Sequence, residues 1–190
     1  MDIDKVLRKQ KKSYKRFMLS MGFIFVLLPI VLQLSGNFNM FFIFYLVLIE
    51  TLIIFSMVIR HNEEYLVYKL EGTRLTIIVG ARKRRYNIST EKVAIVHTIK
   101  NEKIFDLMIV TKSRFRNKRL GHLDFRVLEK YPEVEKVYNK VKMPEEGPYF
   151  FFIIRKGGMR KYLLLNLLYK YSSNAIFTES AVERIKETRN

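Results

Sequence analysis

A membrane-spanning α-helical hairpin followed by an α+β domain is the fold class this sequence predicts, on three observations. Two apolar runs, Phe17–Leu34 and Met40–Ile59, are 18 and 20 residues long. As helices at ~1.5 Å per residue they reach roughly 27–30 Å, about the hydrocarbon thickness of a bilayer. Beyond them the apolar period shortens to two, in glycine-punctuated segments that read as an antiparallel β-meander. The last third returns to helical spacing around one strongly apolar strand.

The elements follow in chain order. Residues 1–16 form a basic N-terminus, with Lys5, Arg8, Lys9, Lys11, Lys12, Lys15 and Arg16 against only Asp2 and Asp4. Ile3, Val6, Leu7 and Tyr14 share one side of a short helix here, which is expected to rest on the lipid surface. Residues 17–34 are the first span, 35–39 an uncharged turn and 40–59 the second span. Cations near span ends are retained on the cytoplasmic side, and Arg60 follows the second span directly. Both termini are therefore expected in the cytoplasm and residues 35–39 outside, at the plasma membrane. A cleaved signal peptide is the rival reading of the N-terminus. The first apolar run is long for that, no A-x-A-like site follows it, and a second span comes at once.

Glu50 interrupts the second span near its middle, where a charged carboxylate is costly unless it faces protein or water, or is protonated. Counting back from the turn sets it level with residue 24, so Ser20 and Gly22 are its expected neighbours. The sequence leaves two roles open: a tie between helices or subunits, or part of a proton or ion pathway within an oligomer.

Residues 60–126 are the β-rich part. Tyr65–Glu71, Arg74–Val79 and Arg82–Ile88 form a meander turned at Gly72-Thr73 and Gly80-Ala81. Ser89-Thr90-Glu91 breaks the pattern. Val93–Thr98 and Phe105–Thr111 are two further strands with a turn at Asn101-Glu102, and Leu120–Phe125 is another. Together they predict an antiparallel sheet of five or six strands, basic on one side. Residues 127–190 carry the α/β remainder. Pro132 opens a helix with Val134, Val137, Tyr138 and Val141 on one face. A loop spans Pro144 to Pro148, and Tyr149–Ile154 is a buried strand. Met159–Tyr171 is helical with Leu164, Leu167, Leu168 and Tyr171 together. Ala175-Ile176-Phe177 is a short strand, and Thr178 or Ser180 caps a last helix with Ala181, Val182 and Ile185 inward.

Glu64–Phe125, with Tyr-x-Leu-x-x-x-x-Leu-x-Ile-x-x-Gly from Tyr68 to Gly80 and a basic turn after it, resembles the bacterial membrane proteins that carry pleckstrin-homology-like domains. The resemblance implies a half-open antiparallel barrel closed by a C-terminal helix, serving as a binding platform rather than an enzyme. Residues 127–190 depart from it, offering two or three helices and an extra apolar strand where the family has one helix.

The net charge of +17 falls largely in three clusters outside the N-terminus. The first is Arg82-Lys83-Arg84-Arg85, at a hairpin turn of the kind that grips phosphate in pleckstrin-like folds. The second is Lys112, Arg114, Arg116, Lys118 and Arg119. The third is Arg155, Lys156, Arg160 and Lys161 around Gly157-Gly158, a pair able to offer backbone N–H groups to an anion. Such residues contribute ~1 kcal/mol each at an anionic leaflet, within a Debye length. The plainer role is a solvated strand edge protected from pairing. Nucleic acid is the less favoured use of this charge: Tyr86 and Phe115 neighbour cations but lie in no RNA-binding motif, and the rim of a membrane protein explains much of the excess.

With no cysteine, disulfides and thiolate chemistry are excluded. His122 and Asp124 share a strand face if Leu120–Phe125 is extended, but no third ligand accompanies them, and His61 and His97 stand isolated in sequence. No nucleotide, metalloprotease or hydrolase motif is present. The sequence therefore predicts a non-catalytic integral membrane protein, without metal or cofactor. Its basic cytosolic binding or scaffolding domain would dock on anionic lipid headgroups or on a protein partner, including a second copy. The alternative is a small accessory subunit of a membrane transport or secretion complex, with a lipid-modifying enzyme third.

Overall fold

A computed structural model describes residues 2–36, 39–100, 104–114, 117, 120–143 and 145–189. Helix α1 runs Ile3–Ser35 and helix α2 runs Met40–Glu64, and both are long and apolar enough to cross a membrane. Asp2 caps α1 by accepting the Lys5 N–H at 3.1 Å, and Gly36 ends it in the left-handed conformation. The helices are antiparallel. Tyr14 hydrogen-bonds His61 at 2.9 Å, and the Gln10 amide donates to Glu64 at 3.1 Å.

The basic segment 3–16 does not form a separate surface helix. No glycine or proline interrupts it, so it continues straight into the apolar part of α1. Its partly buried positions Ile3, Val6, Leu7, Gln10 and Tyr14 recur at helical spacing. Ile3 packs on the domain core, and Gln10 accepts the Met159 N–H at 2.9 Å. These contacts hold the arm to protein.

The chain then builds two sheets. Strands β1 (Leu66–Glu71), β2 (Arg74–Val79) and β3 (Arg84–Ser89) form the antiparallel meander in that order. Leu66, Leu75, Ile77, Tyr86 and Ile88 point into the core, alternating with more exposed neighbours as the two-residue period requires. A 3₁₀ turn at Thr90–Lys92 ends the meander.

The second sheet contains β4 (Val93–Ile99), β5 (Asp106–Thr111), β6 (Gly121–His122), β7 (Phe150–Ile154) and β8 (Ile176–Phe177), ordered β6-β7-β5-β4-β8. Every residue of β5 is buried, which requires cover on both faces. Leu107 and Ile109 face β1–β3 together with α5 (Arg160–Tyr171) and α6 (Glu179–Arg189). Met108 and Val110 face α3 (Phe125–Lys130) and α4 (Pro132–Val141) through Leu128, Val134 and Tyr138. Strand β4 serves both cores, with Val93 and Val96 in the first and Ala94 and Ile95 in the second, and the bulge between Val93 and Ile95 puts the consecutive residues Ala94 and Ile95 on one side.

This differs from a single continuous meander. The free edge of β5 is taken by β7, with Leu107 opposite Ile154, and β4 takes β8 in parallel. The segment expected as a strand at Leu120–Phe125 shrinks to two residues: the bond from Leu123 N–H to the Tyr149 carbonyl is the last in the β6–β7 register, and the Asp124 carbonyl then accepts the Val127 and Leu128 N–H groups and turns the chain into α3. Asp124 consequently leaves the strand for the start of α3, while the His122 ring lies 4.8 Å from that of Phe150. On α5, Leu164 and Leu168 are buried as expected, but Tyr171 is exposed.

Candidate anion-binding cleft at the base of the hairpin

Three segments distant in sequence meet where α2 enters the domain. The first is the end of α2, where Phe55, Val58, Ile59 and Asn62 share one face at i, i+3, i+4 and i+7. The second is the β2–β3 turn, Gly80 to Lys83, closed by a 2.9 Å bond from Lys83 N–H to the Gly80 carbonyl. The third is the chain leaving β7 at Arg155 and Lys156. They enclose a cleft of about 770 Å³ backed by Tyr86, Phe151 and Phe152.

Asn62 positions the basic turn. Its side-chain oxygen accepts the Ala81 N–H at 2.9 Å and so ties the turn to α2. Gly80 makes that approach possible: it holds φ +71°, and a Cβ there would lie 2.7 Å from Asn62 Oδ1 and 3.4 Å from Lys156 Cδ. Alternation along β3 then puts Arg84 on the side of Tyr86 and Arg85 on the opposite face.

Buried Lys161 anchors the third segment. Its ammonium donates to the Phe105 carbonyl and, at 3.0 Å, to that of Arg155, and lies 3.5 Å from Asp106. Burial pushes the Lys161 pKa below its ordinary value, and Asp106 opposes that shift.

Arg82, Arg84, Arg155 and Lys156 line the cleft, and among the described residues no aspartate or glutamate does. Among the described residues no carboxylate forms an ion pair with any of the four. Four cations around one concavity, none of them ion-paired among the described residues, focus a positive potential on it and favour an anion. The apolar wall from α2 and the aromatic back offer the same ligand a hydrocarbon surface.

Of the residues singled out from sequence, Arg82, Arg84, Lys156 and the neighbouring Arg155 come together. Lys83 and Arg85 do not line the cleft. Arg160 turns away, donating to the Leu66 carbonyl at 3.0 Å beside a second cleft along α1. Arg114 donates to the Asn117 carbonyl at 2.9 Å, and the Asn117 amide in turn brackets the Asn87 backbone at the edge of β3. Arg116, Lys118 and Arg119 lie outside the described residues. Gly157 N–H is committed to the Glu63 carbonyl at 2.8 Å and is not free for an anion. Asn62 was not foreseen, since a lone asparagine after an apolar run carries no signal of what it will hold.

Glu50 is partly buried on the α2 stripe that includes Leu46, Ile49 and Ile53. The register set by Tyr14–His61 brings Phe25 level with it. Ser20 is exposed, and a Cβ at Gly22 would meet nothing within 4 Å. The expected grouping of Ser20, Gly22 and Glu50 is therefore not formed within this chain. The stripe Tyr14, Phe17, Met21, Phe25, Leu28 and Leu32 turns Ser20 away from α2.

His97, isolated in sequence, belongs to a polar cluster. Its Nδ1 lies 3.0 Å from Thr178 Oγ1, 3.2 Å from Ser180 Oγ and 3.6 Å from Glu133 Oε2, while Ser180 Oγ donates to Glu133 at 2.9 Å. Serine and carboxylate converge on the same ring nitrogen. A nucleophile–base–acid relay needs them on opposite nitrogens, so this geometry secures the start of α6 against β4 and α4. Among the described residues no group of three or more His, Cys, Asp or Glu side chains is placed to hold a metal. No family model, curated protein or solved structure matches this chain.

Proposed function

We propose that this is a membrane-anchored binding module: the α1–α2 hairpin spans the bilayer with both chain ends cytosolic, and the α+β domain docks on anionic headgroups of that leaflet. The observation that carries this reading is the cleft at the end of α2 lined by four cations that pair with no carboxylate among the described residues. Its position favours lipid over a soluble polyanion. Phe55, Val58 and Ile59 belong to the apolar run that the bilayer would hold, and Asn62 follows Ile59 by about 4.5 Å of helix. The cations therefore sit well within a Debye length of ~8 Å of the headgroup layer. At ~1 kcal/mol per basic residue, four of them supply about 4 kcal/mol of docking energy. The role is one of binding and positioning, and no chemical step is assigned to it.

The test uses the full-length protein in nanodiscs of phosphatidylcholine alone or mixed with phosphatidylserine. Amide exchange across residues 79–86 and 151–158 is expected to slow in the anionic discs and to recover at high salt. Identical exchange in both discs would overturn the reading.

A further inference from the structure

A second concavity of about 770 Å³ shares no residue with the cationic cleft. It lies between β1 and the part of α1 that precedes the apolar run. Residues 66–68 of β1 supply one wall, Leu7, Arg8 and Lys11 of α1 another, and α5 adds Arg160 and Leu163. The register of the first hairpin decides which backbone groups of β1 are open. Gly80 N–H bonds the Tyr65 carbonyl at 2.8 Å, one step beyond the Leu66–Val79 pair. Bonded pairs recur at every second residue, so the backbone groups of Val67, Lys69 and Glu71 are spent on β2. Leu66, Tyr68 and Leu70 turn their N–H and C=O groups to the outer edge. Among the described residues one of these groups has a partner, the Leu66 carbonyl, which accepts Arg160 at 3.0 Å.

Among the described residues the other sheet edges are short or closed. Strands β6 and β8 are two residues each, and the Asn117 side chain brackets the outer edge of β3 as a neighbouring strand would. Strand β1 is six residues long and stands open beside a groove, which makes it a template for one more strand. An extended backbone repeats its donors and acceptors at the ~3.3–3.4 Å rise of β1, and a lipid headgroup does not.

Charge indicates what kind of strand fits. Arg8, Lys11 and Arg160 line the groove with Asp4 and Glu64, and Glu64 is already held by Arg60 at 2.6 Å and by the Gln10 amide. Three cations against the remaining Asp4 favour an acidic segment. A second copy of β1 is a poorer match, because its own α1 would bring Lys5, Arg8, Lys9, Lys11 and Lys12 towards the same cations. Leu7 and Leu163, both partly buried, offer apolar surface to the side chains that alternate with the acidic ones.

We infer that the groove binds an extended acidic segment of a protein partner, which pairs with the open edge of β1 as a fourth strand of the meander. This site is separate from the cleft proposed to meet headgroups and does not depend on it.

The probe is the acetylated, amidated heptapeptide Glu-Val-Glu-Val-Glu-Val-Glu, added to the full-length protein in phosphatidylcholine nanodiscs, with residue-resolved amide exchange as the readout. Exchange at Tyr68 and Leu70 is expected to slow roughly tenfold at saturation, the ratio for one backbone hydrogen bond. Val67 and Lys69, already bonded to β2, should not change. The fully N-methylated peptide keeps the charge and cannot pair, and the Lys-Val counterpart can pair and reverses the charge, so both should leave Tyr68 and Leu70 unprotected. Replacing Arg8 and Lys11 together by glutamine should raise the half-saturating concentration about fivefold, as for two exposed ion pairs. The double change Lys83→Gln and Arg85→Gln, an equal loss of charge outside the groove, should not. Uniform protection along β1, an equal response to the N-methylated peptide, or no response up to millimolar peptide would overturn the proposal. Slowing of Tyr68 and Leu70 by phosphatidylserine discs without peptide would overturn it as well, since the groove would then be a lipid contact.

Discussion

Gly80→Ala should cost clearly more than Gly72→Ala, although both glycines occupy the left-handed region in β-turns of the same meander. Gly80 holds φ +71° and Gly72 holds φ +57°, so an alanine meets a similar backbone penalty at each, roughly 1 kcal/mol. They differ in what surrounds the added methyl. At Gly72 nothing lies within 4 Å. At Gly80 the Cβ falls 2.7 Å from Asn62 Oδ1, the atom that accepts the Ala81 N–H. Asn62 must move, and the bond that ties the basic turn to α2 is strained or lost, a further cost of about 1 kcal/mol. The expected destabilisation is therefore about 1 kcal/mol for Gly72→Ala and about 2–3 kcal/mol for Gly80→Ala. Urea titration of the full-length protein in mild detergent, followed by circular dichroism, reads both as shifts in midpoint at constant slope. Gly80→Ala should also weaken the slowing of amide exchange across residues 79–86 in anionic nanodiscs, because Arg82 loses its anchored turn, while Gly72→Ala should not. Equal losses of stability in the two variants would refute the argument, since the backbone term would then be the whole effect.

Two other perturbations test parts of the same framework. Lys161→Met removes a buried ammonium from the Phe105 and Arg155 carbonyls and from beside Asp106. Breaking one side of such a buried pair costs about 3–5 kcal/mol, and a measured loss below about 1 kcal/mol would show that the lysine is not holding the third segment. At His97, burial holds the ring's pKa below its ordinary 6.5, with Glu133 pulling the other way. The unfolded chain then takes up a proton more readily than the folded one, so this stabilisation is complete above about pH 6.5 and is lost as pH falls through that value towards the folded pKa. The urea midpoint should drop between about pH 7.5 and 5. His97→Gln should flatten that drop, and an unchanged profile in the variant would assign it elsewhere.

Much of the secondary structure was legible in local pattern. The period-two run from Leu66 to Glu71 and the glycine at position 72 define a hairpin through contacts a few residues apart, and the apolar stretch at 150–154 has too many large side chains to be anything but covered. Two features misled. The basic character of residues 3–16 suggested a lipid-lying helix, because sequence shows the charged face and not the domain that Ile3 and Gln10 would meet. The strand-like residues after Leu120 suggested another meander strand, because nothing local announces that they pair with β7 or that Asp124 starts a helix. The cleft was half legible. Its two cation clusters were each visible, but their meeting was not: Asn62 looked like an ordinary polar residue, and Lys161 read as one more surface cation of the third cluster, where the structure buries it on backbone carbonyls.

By itself the sequence determined the two apolar helices, the places where the chain must turn, and the excess of positive charge, since each is written in the period or composition of a short window. Only the tertiary structure decided which cations face one another. A lysine or arginine on an exposed turn gains almost nothing from its sequence neighbours, so its local context does not record its partner. The direction it takes is set by packing at a distance: the alternation of β3 chooses Arg84 over Arg85, the bond from Asn62 places the turn that carries Arg82, and the pairing of β7 with β5 delivers Arg155 and Lys156 to the foot of α2.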